Sequence, residues 1–246
     1  MDFCESNLMP QLQFSLSEVD ISDAENIARH VEVPAMQNGP LFRTTFPRSD
    51  TITEAQREEI IRWYVSMLED AFQDGQESFL KGCSLDGTPI GFCGWTVIER
   101  NREVQVGTNN GQADGPPKRK QKKGTWLPEA IDIDGWTALS GALRTERDRV
   151  LKDLDSICRL TLMAVNPNYQ RQGIGSMMMQ RICEETDRHG RCAYVLAAPD
   201  GIPLYAKFDF EIVGRVETPQ GTITSMFRPS RQPSNGRPRV EAERVG

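Results

Sequence analysis

The feature that most constrains the fold of this chain is an apolar run that leads, through a glycine-containing turn, into an amphipathic helix. The run SICRLTLMAV occupies residues 156–165 and carries apolar side chains on both faces of a strand. A strand buried on both sides is typical of the centre of an α/β sheet. After the turn, IGSMMMQRICEETDRHG places Ile174, Met177, Met178 and Ile182 on one helical face. Strand, turn and helix together predict an α/β fold.

Apolar patterns on either side of this unit predict the rest of the domain. In chain order the expected elements are a strand over 12–19, helices over 21–32 and 53–72, a hairpin over 78–99 about an Asp-Gly turn, a helix over 134–156, strands over 192–199, 210–218 and 222–229, and a short helix over 202–208. Capping boxes are predicted at Ser22 with Glu25 and at Thr53 with Gln56. This order predicts a single α/β domain over 12–228 with a mixed sheet flanked by helices.

Two segments are predicted to lie outside this core. Residues 101–124 are polar and glycine-rich, without apolar periodicity, and are expected to form a disordered insert. The tail over 229–246 is rich in Pro, Arg, Ser and Glu and is also expected to be disordered. The basic run from Lys118 to Lys123 has three interpretations, a solvated loop, a nuclear-localisation signal or a phosphate-binding segment.

Composition excludes several classes of protein. No apolar run reaches the roughly 18 residues of a membrane span, and the first residues lack a signal peptide, so a cytoplasmic protein is expected, or a nuclear one if the basic run is a signal. The net charge of −6 argues against nucleic-acid binding. The six cysteines show no metal-like spacing and are expected to be reduced and buried, and only two histidines exist. No metal site is expected, and a catalytic Ser-His-Asp arrangement is hard to build.

The turn NPNYQRQGIGS, residues 166–176, has the character of an anion site. A helix that begins there presents unpaired backbone N–H groups and the positive end of its dipole. Gly173 and Gly175 remove Cβ atoms that would keep an anion away from the amides, and Arg171 adds a full charge. No lysine follows Gly175 as a Walker loop requires, and Met178 stands where a dinucleotide loop needs glycine.

The arrangement of motifs and strands around this turn resembles that of the GNAT superfamily of N-acetyltransferases. The family signature Q/R-x-x-G-x-G/A, which follows the fourth strand, is met by Gln170, Gly173 and Gly175. LMAVNPNYQ resembles the family's strand end, and IPLYAKFDF resembles its L-Y-x-K-x-G-F helix after the fifth strand. The match runs over 157–213, and the hairpin and N-terminal helices also fit. The insert before the fourth strand is similar to that of fungal members.

The resemblance implies that the fourth and fifth strands splay apart and that acetyl-coenzyme A lies between them. The main chain of Met163, Ala164 and Val165 would then pair with the pantetheine arm. Backbone amides would hold the pyrophosphate, with Arg171 adding charge. The loop residues concerned are Gln170, Arg171, Gln172, Gly173, Ile174, Gly175 and Ser176.

The resemblance also implies direct transfer of the acetyl group to an amine, with Tyr205 donating a proton or hydrogen bond to the leaving sulfur. The fourth strand offers no carboxylate as general base. Glu99 at the end of the hairpin is the candidate, beside the alternatives of water as the proton carrier and of a merely solvated charge. Two departures from the family pattern stand out. Asp209 replaces the glycine before Phe210, and Pro199-Asp200-Gly201 replaces an asparagine after the fifth strand.

The function expected from the resemblance is transfer from acetyl-coenzyme A to a small-molecule primary amine. The alternatives are a protein acetyltransferase and a non-catalytic acyl-coenzyme A-binding module. Trp63, Tyr64 and Trp136 are interpreted as core residues, or else as the wall of an acceptor pocket. The sequence names neither the acceptor, the acyl-chain preference nor the oligomeric state.

Overall fold

A computed structural model describes residues 14–99 and 126–231 of the chain. The predicted insert over 101–124, the basic run within it and the predicted tail beyond Arg231 lie outside these residues, as do the first two residues of the predicted domain. The strands are β1 (Ser15–Glu18), β2 (Ser78–Cys83), β3 (Pro89–Glu99), β4 (Ser156–Val165), β5 (Cys192–Ala197), β6 (Glu211–Thr218) and β7 (Gly221–Arg228). The helices are α1 (Ala24–Ile27), α2 (Val33–Met36), α3 (Pro40–Thr45), α4 (Glu54–Asp74), α5 (Ile133–Leu151), α6 (Ile174–Arg188) and α7 (Ile202–Ala206).

The strands form one mixed sheet in the order β1-β2-β3-β4-β5-β7-β6. The β4–β5 pair is parallel and the other neighbours are antiparallel. Helix α6 makes the crossover that a parallel pair needs. A single α/β domain with a mixed sheet between helices, as the sequence predicts, is confirmed.

The first helical segment differs from its prediction at its start and in its middle. It opens with a turn of 3-10 helix over Ile21–Asp23, and the capping box is formed by Asp20 and Asp23. The predicted box at Ser22 and Glu25 is therefore wrong, because the helix begins earlier and the Asp20 carboxylate reaches the Ser22 amide at 2.9 Å. Between α1 and α2 the backbone forms a π-helical turn over Ala28–Glu32.

Helix α4 confirms its prediction closely. The Thr53 hydroxyl accepts the Gln56 amide, and the Gln56 side chain accepts the Thr53 amide in return. The buried side of α4 includes Ile60 and Tyr64. Helix α3 was not predicted, since its six residues are too few to show an apolar period; Gly39 and Pro40 at its start are the only local signals.

Hydrophobic side chains pack on both faces of the sheet. We call these the α6 face, which α6 and α7 cover, and the α4–α5 face, which the remaining helices cover. On β3, Cys93 packs on the α6 face and its neighbour Phe92 on the α4–α5 face, as the twofold alternation of a strand requires. Helix α6 lies close to β3: a Cβ on Gly91 would come within 2.6 Å of the Ile174 Cγ2 atom. This close contact holds the first turn of α6 against the sheet.

The cysteines of the described ranges are free thiols, as predicted. Cys83, Cys93, Cys158 and Cys183 are buried, and Cys192 is partly buried. Burial raises the pKa of Cys93 to about 12 and that of Cys183 to about 11, so both thiols stay protonated at neutral pH. None of the helices in the described ranges is long and apolar enough to cross a membrane.

Candidate functional site

Strands β4 and β5 separate soon after they meet. They pair only where Ile157, Cys158 and Arg159 face Cys192, Ala193 and Tyr194. Beyond Arg159, β4 continues to Val165 with β3 as its only partner among the described strands. The splay of the fourth and fifth strands that the family resemblance implies is present. It leaves one backbone edge of β4 available to an extended ligand.

A large cleft of about 1540 Å³ opens at this gap. It reaches from the turn before α6, between the separated strands, to the α4–α5 face of the sheet. Met163, Ala164 and Val165 line it, at the part of β4 that no longer pairs with β5. The cleft therefore extends from the turn 166–176 to a chamber on the α4–α5 face of the sheet.

Side-chain hydrogen bonds hold the turn 166–176 in shape. The Asn166 carboxamide accepts the Asn168 amide at 2.9 Å and donates to the His30 carbonyl at 2.7 Å, which ties the turn to the π-helical turn. The Gln170 side chain donates to the Val165 carbonyl at 3.1 Å. Gln172 bonds back to the Asn168 carbonyl at 3.2 Å. All the predicted coenzyme-contacting residues line the cleft except Gln172.

The two glycines of the turn serve different geometric needs. Gly173 caps α6 with a left-handed backbone at φ 98°, and a Cβ placed there would meet no atom within 4 Å. Glycine is therefore needed at position 173 for its backbone conformation and not for lack of space. Gly175 has an ordinary helical position, but a Cβ would lie 3.2 Å from the Leu204 Cδ2 atom of α7. Arg171 also has a left-handed backbone, at φ 62°, and an exposed side chain.

The start of α6 presents its amides to the cleft. The first hydrogen bond of the helix runs from the Met177 amide to the Gly173 carbonyl at 2.9 Å. The amides from Gly173 to Ser176 precede that bond, and these residues line the cleft. Together with the helix dipole, they make this end of the cleft suited to a phosphate group.

Tyr205 of α7 lines the cleft from the α6 face. It is 5% exposed, and its ring packs 5.8 Å from the Phe210 ring, centroid to centroid. Burial, with a smaller effect of Cys93, raises the pKa of the Tyr205 hydroxyl well above its ordinary range. The hydroxyl therefore keeps its proton at neutral pH and can act as a donor.

Glu99 does not lie in the cleft. It is at the end of β3, opposite Ser156 at the start of β4, so the length of β4 separates it from the turn. Its side chain is 63% exposed and pairs with Arg191 at 2.7 Å. This placement favours the solvated ion pair, one of the alternatives left open by the sequence, over a role as general base.

The two departures from the family pattern are accommodated locally. Asp209 takes the left-handed backbone that glycine would take, at φ 64°, and its carboxylate pairs with Arg231. Asp adopts this conformation more readily than most residues, so the turn into Phe210 is kept. Pro199–Gly201 forms a 3-10 turn that leads directly into α7.

The chamber on the α4–α5 face is lined by aromatic side chains. Trp63 and Tyr64 are largely buried, and Trp63 meets Trp136 edge to face with ring centroids 6.0 Å apart. All three line the cleft; Trp63 and Tyr64 also belong to the hydrophobic core, whereas Trp136 is only partly buried. The pKa of Tyr64 is raised, first by burial and then by the charge of Glu32.

Three charged residues that line this chamber were not identified from the sequence. Glu32 in the π-helical turn is 5% exposed, Arg147 of α5 is 7% exposed, and Arg159 of β4 is half-buried; all three line the cleft. The sequence does contain a signal for Arg159, since this residue is a lone charge within an apolar strand. Arg147 sits three residues before the buried Val150, on the apolar side of α5. Glu32 follows the buried Val31 in an irregular helix, where helical periodicity does not assign it to a face.

Comparison with known proteins relates this fold and site to known acetyltransferases. A family model described as acetyltransferase (GNAT) domain matches residues 118–212. The matched stretch includes β4, the turn, α6, β5 and α7. A comparison with curated protein sequences gives no significant match.

Solved acetyltransferase structures share the fold at low sequence identity. Histone acetyltransferase HPA2 and related acetyltransferase of Corynebacterium glutamicum has a TM-score of 0.57 at 13% identity, over 90% of this chain and 99% of that one. Arylalkylamine N-acetyltransferase 2 of Aedes aegypti has a TM-score of 0.57 at 12% identity, over 88% and 98%. Agmatine N-acetyltransferase has a TM-score of 0.53 at 11% identity, over 87% and 98%.

The seven-stranded mixed sheet, the separation of β4 from β5 and the glycine-containing turn before α6 define the fold of this α/β domain. Residues 118–212 match the acetyltransferase domain of the GNAT superfamily, the enzymes that take an acetyl group from acetyl-coenzyme A, and the fold is that of solved N-acetyltransferases. The family recognised from the sequence motifs is confirmed.

Proposed function

We propose that this enzyme transfers an acetyl group from acetyl-coenzyme A to the primary amine of a small molecule. The observation that carries the proposal is the continuity of one cleft. It runs from the first turn of α6, past the unpaired edge of β4 and Tyr205, into a chamber that contains the buried carboxylate of Glu32. The nucleotide and the thioester of acetyl-coenzyme A and the amine of the acceptor would each contact suitable groups along this cleft.

The coenzyme would occupy the part of the cleft between β4 and the turn. The backbone of Met163, Ala164 and Val165 would pair with the pantetheine arm, since β5 no longer takes up that edge of β4. The amides from Gln170 to Ser176, with the charge of Arg171 at the rim, would hold the pyrophosphate. The Gln172 side chain would act indirectly, because it closes the turn on Asn168.

Tyr205 would supply the proton that the leaving group needs. Acetyl-coenzyme A brings a thioester, whose C–S bond breaks as the amine nitrogen bonds to the carbonyl carbon. The Tyr205 hydroxyl, kept protonated by its burial, would donate to the departing sulfur.

Glu32 would accept the proton that the amine gives up. Its carboxylate is buried, lines the cleft and belongs to the turn that Asn166 ties to the coenzyme loop. A carboxylate so placed also attracts a protonated amine before the proton is removed. This assignment replaces the earlier candidate Glu99, which is exposed and outside the cleft.

The form of the chamber favours a small acceptor over a protein. Its walls include the buried Trp63 and Tyr64, and helices α4 and α5 cover it on the side away from the sheet. Two of the structural neighbours carry arylalkylamine and agmatine in their names, both small amines. The Corynebacterium neighbour is called a histone acetyltransferase, so a protein acceptor belongs in the test.

Binding and turnover test the proposal in sequence. Acetyl-coenzyme A at about 100 times its Kd should stabilise the protein by about 2.7 kcal/mol in thermal unfolding, and coenzyme A should stabilise it similarly. Stabilisation by NAD and not by coenzyme A would contradict the proposal at its first step.

Release of free thiol then separates an enzyme from a binding module. Small amines should release coenzyme A from acetyl-coenzyme A, whereas lysine-containing peptides should release little. Faster release with peptides would favour the protein acetyltransferase, and coenzyme binding without release for any acceptor would favour the module.

A further inference from the structure

Two arginines line the chamber on the α4–α5 face, here called the acceptor chamber, and the reaction proposed above uses neither. Arg159 lies on β4 and Arg147 on α5, and both line the cleft. The Arg159 Nε atom is buried without a hydrogen-bond partner, and no ion pair to its guanidinium occurs within residues 14–99 and 126–231. Arg147 donates from Nε and Nη2 to one carboxylate oxygen of Asp148, at 3.1 and 2.9 Å.

The positive charge of Arg147 disfavours the charged form of Arg159. Burial lowers the pKa of Arg159, and the positive charge of Arg147 lowers it further. Like charges in a partly buried site are costly unless an anion lies between them or beside them. An anionic group beside the two guanidinium groups would offset this cost.

Acidic neighbours balance these charges only in part. Glu77 and Asp148 act on Arg159 electrostatically, but each is already engaged. Glu77 accepts a hydrogen bond from the Thr161 hydroxyl at 2.8 Å, and the Asp148 side chain, bound to Arg147, is 54% exposed. Arg144, also on the cleft, adds a third positive charge to this end.

The position of Arg159 separates it from the coenzyme phosphates. It is the last residue of β4 that pairs with β5, so it lies where the two strands begin to part. Met163 is four positions further along the strand, about 13 Å away, and the turn 166–176 lies beyond Val165. The arginines therefore lie away from the turn that would hold the nucleotide phosphates.

We propose that Arg147 and Arg159 bind an anionic group of the acceptor, so that the acceptor class is a primary amine that also carries a carboxylate or a phosphate. The inference rests on the proposed function, because it assigns the acceptor of that same reaction. The amine would lie near Glu32 and Tyr205, and the anionic group would lie at the apex of the strand gap. The two ends of the chamber thus select for opposite charges on one molecule.

Matched acceptors test this selectivity directly. Thiol release should be compared for 6-aminohexanoate and hexylamine, for tryptophan and tryptamine, and for phosphoethanolamine and ethanolamine. At least one anionic member should exceed its neutral partner by about tenfold or more in kcat/KM, since a charge-assisted hydrogen bond contributes about 1.5–3 kcal/mol. The pair that shows the preference distinguishes carboxylate from phosphate.

Substitution of the arginines should remove that preference. Arg159→Gln and Arg147→Gln should raise KM for the anionic amine about 10- to 100-fold and so reduce or abolish its advantage over the neutral partner. Arg181→Gln, an exposed arginine on α6 outside the cleft, is the matched control and should change neither value. Stabilisation by coenzyme A would show that each variant retains its fold.

Anion binding can also be measured without turnover. With coenzyme A saturating, hexanoate or inorganic phosphate should raise the unfolding temperature of the unsubstituted protein more than that of Arg159→Gln. Equal stabilisation of both proteins, or better turnover of the neutral amine in every pair, would overturn the anion site. Failure of coenzyme A to bind at all would instead contradict the proposed function.

Discussion

At the scale of single residues, the candidate site depends on a few buried polar groups whose surroundings set their chemistry. Tyr205 is an example, because the packing that buries its ring also keeps its hydroxyl protonated. Glu32 is another, since a carboxylate at 5% exposure is rare unless the site uses it or pairs it.

Replacing Tyr205 by phenylalanine tests the proton donor. Tyr205→Phe should lower kcat about 100-fold, the usual contribution of a general acid, and leave KM for acetyl-coenzyme A nearly unchanged. Steady-state thiol release measures both values. An unchanged kcat would show that the hydroxyl only packs, and the melting temperature would show whether the Phe210 contact survives.

Glu32 and Glu99 form a matched pair for the general base. Glu32→Gln should lower kcat/KM about 100-fold, because the amide cannot accept the amine proton. Glu99→Gln should leave kcat/KM within about twofold, because an exposed ion pair such as that with Arg191 contributes little. Rate–pH profiles of the two variants measure this difference, and the reverse order of effects would restore Glu99 as the candidate.

Asp209 shows why a departure from a family motif need not change a structure. The family's glycine is absent, but the aspartate has the left-handed backbone that the turn requires. The Asp209 amide reaches the Ala206 carbonyl at 3.3 Å, and the Phe210 amide reaches the Tyr205 carbonyl at 3.3 Å. The conformation of the turn, and not the residue type, is what positions Phe210 beside Tyr205.

At the scale of elements, the start of α6 combines close packing with an unusual backbone. Ile174 approaches the sheet at Gly91, and Gly175 approaches α7 at Leu204. These contacts set the direction of the helix, and Gly173 sets where its first amides point.

Variants at Gly173 distinguish backbone conformation from steric access. Gly173→Val should weaken binding of coenzyme A by about tenfold, since a β-branched residue in the left-handed region costs about 1–2 kcal/mol. Gly173→Asn should bind nearly as well as the unsubstituted protein, because asparagine tolerates this conformation and a Cβ meets nothing within 4 Å. Titration calorimetry measures both affinities. Equal losses in the two variants would mean that the ligand itself needs the space.

At the scale of the whole molecule, one buried ion pair connects the helix layer to the sheet. Arg228 of β7 is 1% exposed and binds both carboxylate oxygens of Asp187 on α6, at 2.7 and 2.8 Å. Its Nε atom also donates to the Phe208 carbonyl at 2.9 Å, just after α7. Three elements around the site therefore depend on this pair.

The pair predicts a dependence of stability on pH. Hydrogen bonds from Arg228 lower the pKa of Asp187, so its contribution is complete above the ordinary pKa of an aspartate and is lost as the pH falls through the lowered value. Asp187→Asn should reduce the free energy of unfolding by about 3 kcal/mol at pH 7, because Arg228 stays buried without its charge partner. Denaturant unfolding at several pH values should show this difference shrink below about pH 4.

A neighbouring arginine provides the control for this experiment. Arg231 lies 3.8 Å from the Asp187 carboxylate, but its side chain is 62% exposed. Arg231→Gln should change the free energy of unfolding by less than about 1 kcal/mol. A loss as large as that of Asp187→Asn would mean that the buried pair is not what holds these elements together.

Much of the fold could be predicted from local sequence patterns. The apolar run of β4, the amphipathic face of α6 and the capping box of α4 depend on residues close in the chain, so the order of elements and the family motif could be read from them. The cap at Asp20, the π-helical turn and helix α3 could not, because each lacks a full period of apolar residues.

The sequence by itself determined the fold class, the family and the turn that begins α6, because these follow from periodicity and from a motif contiguous along the chain. Only the tertiary structure decided which charged residues share the acceptor chamber. Glu32, Arg147 and Arg159 come from a helix turn, a second helix and a strand, and they meet only because the sheet and its two helical layers enclose one cleft. Side chains so distant in sequence leave no common local pattern, so their proximity depends on the packed fold.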